Sequence, residues 1–133
     1  MDHVPGGVAD AVNDALQAAG GPVSRPADGE WGMVLDDVAG WPLDVGLRVR
    51  DGLLAIQAQA CRPERLDAHL LLHRNRLVDV VRYTHAADGT VHVQAEIPLV
   101  AAADPVAVDR VLGRVIEAAE WARTAAAKRK RLD

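Results

Sequence analysis

Leu66-Asp67-Ala68-His69-Leu70-Leu71-Leu72-His73-Arg74-Asn75, Val80-Val81-Arg82-Tyr83-Thr84, an Asp88-Gly89 turn and Val91-His92-Val93-Gln94-Ala95-Glu96-Ile97-Pro98-Leu99 together decide the fold. Pro63 suits the first turn of a helix, and Leu66, Leu70, Leu71 and Leu77 then recur at helical spacings. Asn75 tolerates the left-handed cap at the end of such a helix. The period then drops to two, with an Asp-Gly turn between Val80–Ala86 and Thr90–Ile97, so a hairpin follows, and Pro98 stops it.

The same logic works outward in both directions. Leu43, Val45, Leu47 and Val49 alternate with Asp44, Gly46, Arg48 and Arg50, which is a strand with one wet face. Asp51-Gly52 suits the positive backbone dihedrals of a type I′ turn, so Leu53–Ala60 returns antiparallel with Leu54, Ile56, Ala58 and Ala60 on one face. Trp31–Asp36 reads as a short strand, and the Pro- and Gly-containing segment from Val23 to Glu30 as a loop. Val8, Val12, Leu16 and Ala19 mark a first amphipathic helix ended by Gly20-Gly21-Pro22. At the other end Asp104-Pro105 is an N-cap followed by a residue whose missing N–H costs nothing there. Val108, Val111, Leu112, Val115, Ile116 and Ala119 form the buried stripe of a closing helix that runs toward Lys128. The predicted order is helix, three strands, helix, two strands, helix: an α+β domain whose antiparallel five-stranded sheet has helices packed on it. The 133 residues make a single domain, with a core over about residues 8–121 and a basic helix end or tail over 122–133.

Charge narrows the partners. Lys128-Arg129-Lys130-Arg131 and Asp133 hold four of the 15 basic and one of the 19 acidic side chains, which leaves 11 against 18, a net of −7, over residues 1–127. An acidic body disfavours nucleic acid, because phosphate neutralisation needs clustered Lys and Arg. The four tail cations suit the negative end of a helix dipole. Aromatics are confined to Trp31, Trp41, Trp121 and Tyr83, which removes the platforms on which single-stranded bases stack. No apolar run approaches a membrane span, no leader is apparent at the N-terminus, and the single Cys61 has no intramolecular disulfide partner; a cytoplasmic protein is expected.

The order of elements resembles the fold of bacterial type III secretion chaperones, and the residues resemble its YbjN branch, described as sensory transduction regulators. The likeness rests on Trp31-Gly32-Met33-Val34-Leu35, Leu43 to Asp51-Gly52, Leu70-Leu71-Leu72-His73-Arg74-Asn75, Arg82-Tyr83, the run from Asp88 to Leu99 and the closing helix, from about Val8 to Trp121. It implies a small, acidic, usually dimeric protein that binds an extended segment of another protein, without cofactor and without catalytic residues.

Candidate chemistry is sparse. His69 and His73 lie four apart on a helix, as in two-His metal sites, but His85, His92, Cys61 and Asp67 supply no recognised spacing for further ligands. Cys61 precedes Arg62, which can lower a thiol pKa, although a structural cysteine is the commoner case. Ser24, the only serine, sits in a Pro-rich loop unlike a nucleophile elbow, and Asp36, Asp37 and Asp44 flank a Gly40-Trp41-Pro42 turn that needs such residues anyway. No metal and no catalytic residues are therefore assigned. The expectation is a non-enzymatic, chaperone-like module, with a regulatory domain binding a small ligand or metal between sheet and helices as the alternative. A homodimer is expected through Leu66, Leu70, Leu71 and Leu72, more apolar surface than one stripe buries. A partner segment is expected on an exposed strand edge or apolar strip flanked by acidic residues, with a preference for positively charged ligands.

Overall fold

The computed structural model describes residues 4–63 and 65–132, with side chains through residue 129. Helix α1 (Gly6–Ala19) buries Val8, Ala11, Val12, Ala15 and Leu16 and ends on Gly20, whose left-handed φ of 84° lets its N–H reach the Leu16 and Gln17 carbonyls. Strands β1 (Val23–Ser24), β2 (Glu30–Val38), β3 (Trp41–Arg50) and β4 (Leu53–Cys61) follow, then helix α2 (Ala68–Asn75), strands β5 (Arg82–His85) and β6 (Val91–Pro98), and helix α3 (Pro105–Leu132). The sheet is antiparallel throughout, in the order β1-β2-β3-β4-β6-β5.

The sheet therefore has six strands, one more than expected. The extra strand β1 lies in the segment whose composition reads as a loop, and pairs Val23 with Met33 and Ser24 with Gly32. Glycine makes the approach feasible, since a Cβ at Gly21 would collide with the Val34 carbonyl oxygen and one at Gly32 would stand 2.8 Å from the Ser24 hydroxyl. A two-residue pairing has no periodicity to read.

The hairpins follow their turns. Arg50 pairs with Leu53 across Asp51 (φ 53°) and Gly52 (φ 76°), the two positive dihedrals of a type I′ turn. The second hairpin turns more widely: the Ala86 carbonyl accepts from Gly89 N, Ala86 N donates to the Thr90 carbonyl, and Gly89 takes φ 92°. That is a type I turn closed by a left-handed residue. Strand β5 starts at Arg82 rather than Val80, because Val80 sits at φ 72°, outside the strand region.

One face of the sheet is covered by helices. Trp31, Met33, Leu43, Val45, Leu47, Leu54, Ile56, Val93 and Ala95 meet Leu16, Val108, Leu112 and Val115 in a continuous core. Trp31 Nε1 donates to Asn13 Oδ1 at 3.1 Å and Tyr83 Oη to the Ala118 carbonyl at 2.8 Å, so β2 is tied to α1 and β5 to α3. Helix α3 starts where expected, with Asp104 Oδ1 accepting from Val106 N. It continues to bury residues beyond Trp121, namely Ala122, Arg123 and Ala126.

Helix α2 is shorter than its leucines suggest. It starts after Asp67, whose side chain caps His69 N at 3.2 Å, and not at Pro63. Its C-cap Arg76 is right-handed (φ −76°), so Asn75 does not serve as a left-handed cap. Leu66 and Leu71 point into the protein's own core, whereas Leu70, Leu72 and Leu77 are exposed.

Candidate binding surface at the closing helix

Arg123 organises the C-terminal half of α3. It is 4% exposed, and all five of its N–H groups donate to backbone carbonyls. Nε reaches Ala60 at 2.9 Å, Nη1 reaches Val38 at 2.9 Å and Trp41 at 2.7 Å, and Nη2 reaches Pro42 and Gln59, each at 3.1 Å. One side chain thus closes the ends of β2, β3 and β4 onto α3. Its guanidinium lies 3.4 Å from the centre of the Trp41 ring, and Arg62 lies over the same ring at 5.1 Å. Burial lowers the pKa of Arg123, while Cys61, Asp44 and Asp37 act to raise it.

Two clefts flank these turns of α3. The smaller, about 270 Å³, is lined by Trp41, Cys61, Arg62, Arg65, Arg123 and Ala126. The larger, about 570 Å³, lies between α2 and α3, with Leu66, Leu70, Trp121 and Ala125 as its apolar lining and Lys128 and Arg129 at its rim. Trp121 is held in place by Arg74, 4.4 Å over its ring, and by the tilted ring of Tyr83 at 5.7 Å. Among the described residues lining the two clefts, five are cationic and none is a carboxylate. The local charge at these clefts is opposite to that of the body, unlike the acid-flanked patch expected from net charge.

The other face of the sheet is a polar concavity of about 820 Å³ with Gly32 and Gly46 facing each other in its floor. Its side chains bond to one another. Arg82 holds Glu96 at 2.6 and 2.5 Å and Gln94 at 3.2 Å, Gln94 donates to Gln57 at 3.2 Å, and Gln57 meets His92 Nδ1 at 3.1 Å. The Arg82 bond holds the Glu96 carboxyl below its usual range. The polar concavity lies on the face away from the helices, and only the smaller cleft opens between the ends of β3 and β4 and helix α3, where the alternative reading would place a small ligand.

Strand edges are also less open than expected. The edge strand β5 turns the N–H and C=O of Tyr83 outward, and the Asn75 carboxamide takes both: Tyr83 N donates to Asn75 Oδ1 at 2.7 Å and Asn75 Nδ2 donates to Tyr83 O at 2.9 Å. Asn75 thus ends α2 by acting as a short piece of strand on β5.

The remaining candidates are dispersed. His69 and His73 are exposed on α2, and no group of three metal-ligating side chains occurs among the described residues. Burial pushes the Cys61 thiol up to about 11, with Arg123 opposing, so thiolate is scarce at neutral pH. Asp37 Oδ1 accepts from Gly40 N at 2.8 Å in turn chemistry, while Asp36, Asp44 and Ser24 are exposed. No described helix is long and apolar enough to cross a membrane. The roles of Arg123 and Asn75 lie outside the sequence-predicted candidates. The first had a signal, because extending the stripe of Val115 and Ala119 by a turn places residue 123 inward.

No family model matches the chain, and no curated protein matches it. Among solved structures its fold is similar to a chain of the HopA1–SchA chaperone–effector complex (TM-score 0.68, 14% identity, covering 89% of this chain and 94% of that one). It is similar to a chain of the ExsC–ExsE complex (TM-score 0.65, 16% identity, 86% and 92%). A third neighbour comes from the Yersinia pestis type III secretion chaperone SycH in complex with a stable fragment of YscM2 (TM-score 0.63, 13% identity, 84% and 96%). At such identities the likeness is one of fold. It agrees with the chaperone-like architecture expected from the sequence and does not single out the YbjN branch.

Proposed function

We propose that this chain is a non-enzymatic binding module of the chaperone kind, which holds a segment of another protein and releases it chemically unchanged. The observation that carries this reading is the end-to-end likeness to chains from a chaperone–effector complex, the ExsC–ExsE complex and a chaperone–fragment complex, spanning 84–89% of this chain and 92–96% of theirs. Two local facts support it. The one thiol is buried with its pKa raised, and the exposed serine and histidines are not gathered into a nucleophile–base pair among the described bonds. The open clefts beside α3 combine apolar lining with a charged rim, the composition of a protein-binding surface. Membership of the YbjN branch, action in the cytoplasm and pairing of two copies belong to the same proposal.

The test is reconstitution. Proteins captured by the tagged chain from its native cell are purified and mixed with it one at a time. A stable complex in which one segment of the partner resists proteolysis and emerges with unchanged mass supports the reading. A partner returned covalently altered, or failure of every captured protein to form a complex with the purified chain, overturns it.

A further inference from the structure

We propose that the cleft between α2 and the C-terminal half of α3 takes an acidic, apolar segment of a partner protein, with apolar side chains against Leu70, Trp121 and Ala125, carboxylates against Lys128 and Arg129 at its rim, and a continuation toward Arg62 and Arg65 in the neighbouring cleft. The inference rests on the partner-binding reading and adds the partner's chemistry. The cleft is open and of the size that side chains fill, about 570 Å³, and Leu70 is left 40% exposed at its edge. Trp121 is a rigid anchor, sandwiched in place by Arg74 and Tyr83, and Tyr83 is itself fixed by its bond to the Ala118 carbonyl.

Charge selects the occupant. Lys128 and Arg129 alone are accounted for by the negative end of the α3 dipole. That explanation does not reach Arg62 and Arg65, which come from the segment between β4 and α2, line the neighbouring cleft with Arg123 and Ala126 of α3, and are exposed. Arg123 lies behind them with its charge buried and every donor spent on a backbone carbonyl, so it can attract an anion only through its field. This cationic corner stands in a chain of net charge −4, so an acidic segment is guided to it and repelled elsewhere. A polyphosphate chain would satisfy the rim but leave the leucine and tryptophan lining without an apolar partner.

Fluorescence anisotropy with the purified full chain tests this. The probes are three labelled synthetic peptides with the same leucine spacing, their intervening residues glutamate, glutamine or lysine, and a single-stranded oligonucleotide of matching length. The glutamate peptide is expected to bind about tenfold more tightly than the glutamine peptide at physiological salt, since several exposed ion pairs of modest worth add to that factor. The advantage shrinks as salt rises. Arg62→Gln with Arg65→Gln, and Lys128→Gln with Arg129→Gln, each reduce it, and Leu70→Glu abolishes it; all five side chains are exposed, and matching melting curves verify the fold. Arg48→Gln with Arg50→Gln, on the far face of the sheet, leaves it unchanged. Equal binding of the glutamine peptide, stronger binding of the oligonucleotide, an equal effect of the far-face pair, or dissociation of a dimer by the groove substitutions overturns the inference. Tight binding of the lysine peptide would overturn the charge assignment alone and leave the protein-binding reading standing; binding of no peptide would remove this groove while reconstitution still decides that reading.

Discussion

Arg123 takes a full charge into the interior without an ion pair to a carboxylate among the described residues, and carbonyl dipoles do the compensating. The Arg123→Ala change removes five hydrogen bonds to backbone acceptors at once and leaves a cavity beside Trp41. A loss of about 3–5 kcal/mol is expected in urea denaturation, the scale of breaking a buried ionic arrangement. Arg123→Lys keeps the charge but offers three donors on a flexible stem in place of a planar fork, so about 2 kcal/mol is expected. A wild-type midpoint for the alanine variant would remove Arg123 from this account. Its neighbour Cys61 makes a pH-dependent contribution. The fold houses the neutral thiol, whose pKa rises from 9.0 to about 11 on burial, so stability is full below pH 9.0 and drains away as pH climbs toward 11. Cys61→Ala should flatten that part of a denaturation midpoint against pH profile. Some alkaline slope is expected to persist because burial raises the Tyr83 pKa too. An unaltered profile would show that the thiol does not titrate with unfolding.

Element by element, the parts written in a repeating code were legible and the parts written in single contacts were not. The hairpin at Asp51-Gly52 needs two positive dihedrals in sequence, and few residue pairs other than Asp-Gly supply them, so its register could be read to the residue. By contrast β1 depends on what Gly21 and Gly32 lack, and the brevity of α2 depends on Asp67 capping a helix of only eight residues. A helix that short does not persist alone and is held by its ends. Asn75 shows the consequence: its carboxamide joins the helix end to β5 and occupies the outer edge of that strand at Tyr83. Asn75→Ala uncouples the two elements. The expected cost is about 1–2 kcal/mol in denaturation, from the half-buried Tyr83 N–H and C=O left to water. Asn75→Asp, which keeps the acceptor for Tyr83 N and loses the donor to Tyr83 O, should fall between the two. The unblocked edge in the alanine variant should also raise self-association, visible as concentration-dependent light scattering. Light scattering and stability both matching wild type would mean that the edge is guarded by something other than Asn75.

For the whole molecule, burial and charge are arranged along different directions, and only the first is periodic. The single core, the helix-covered face and the polar face all follow from alternation and from 3.6-residue stripes, which is why the α+β class could be read from residues alone. The cationic surface at the end of α3 could not, because Arg62 and Arg65 are far in sequence from Lys128 and Arg129 and the two pairs line neighbouring clefts only once β4, α2 and α3 are packed. Summing charge over the chain does not report the local sign at the clefts. Packing likewise divides the four leucines proposed for self-association. Leu66 and Leu71 are 3% exposed and committed to the core, Leu70 faces the groove, and Leu72 stands 63% exposed on the opposite side of the helix, as does Leu77 beyond its end. Pairing of two copies is therefore proposed through Leu72, Leu77 and Val80, the last 57% exposed. Covering roughly 100 Å² on each of these side chains in both copies, at about 25 cal/mol per Å², contributes on the order of 15 kcal/mol as an upper bound. Association costs about 4–15 kcal/mol in lost freedom, so the net lies between about 0 and 11 kcal/mol, the range of a reversible dimer and not of an obligate one. Sedimentation equilibrium should show monomer and dimer exchanging across tens of micromolar, Leu72→Lys should give monomer without loss of thermal stability, and Leu70→Lys should leave the equilibrium in place. A wild-type monomer throughout that range would end the proposal of pairing, and a dimer lost with Leu70→Lys but kept with Leu72→Lys would move the interface into the groove.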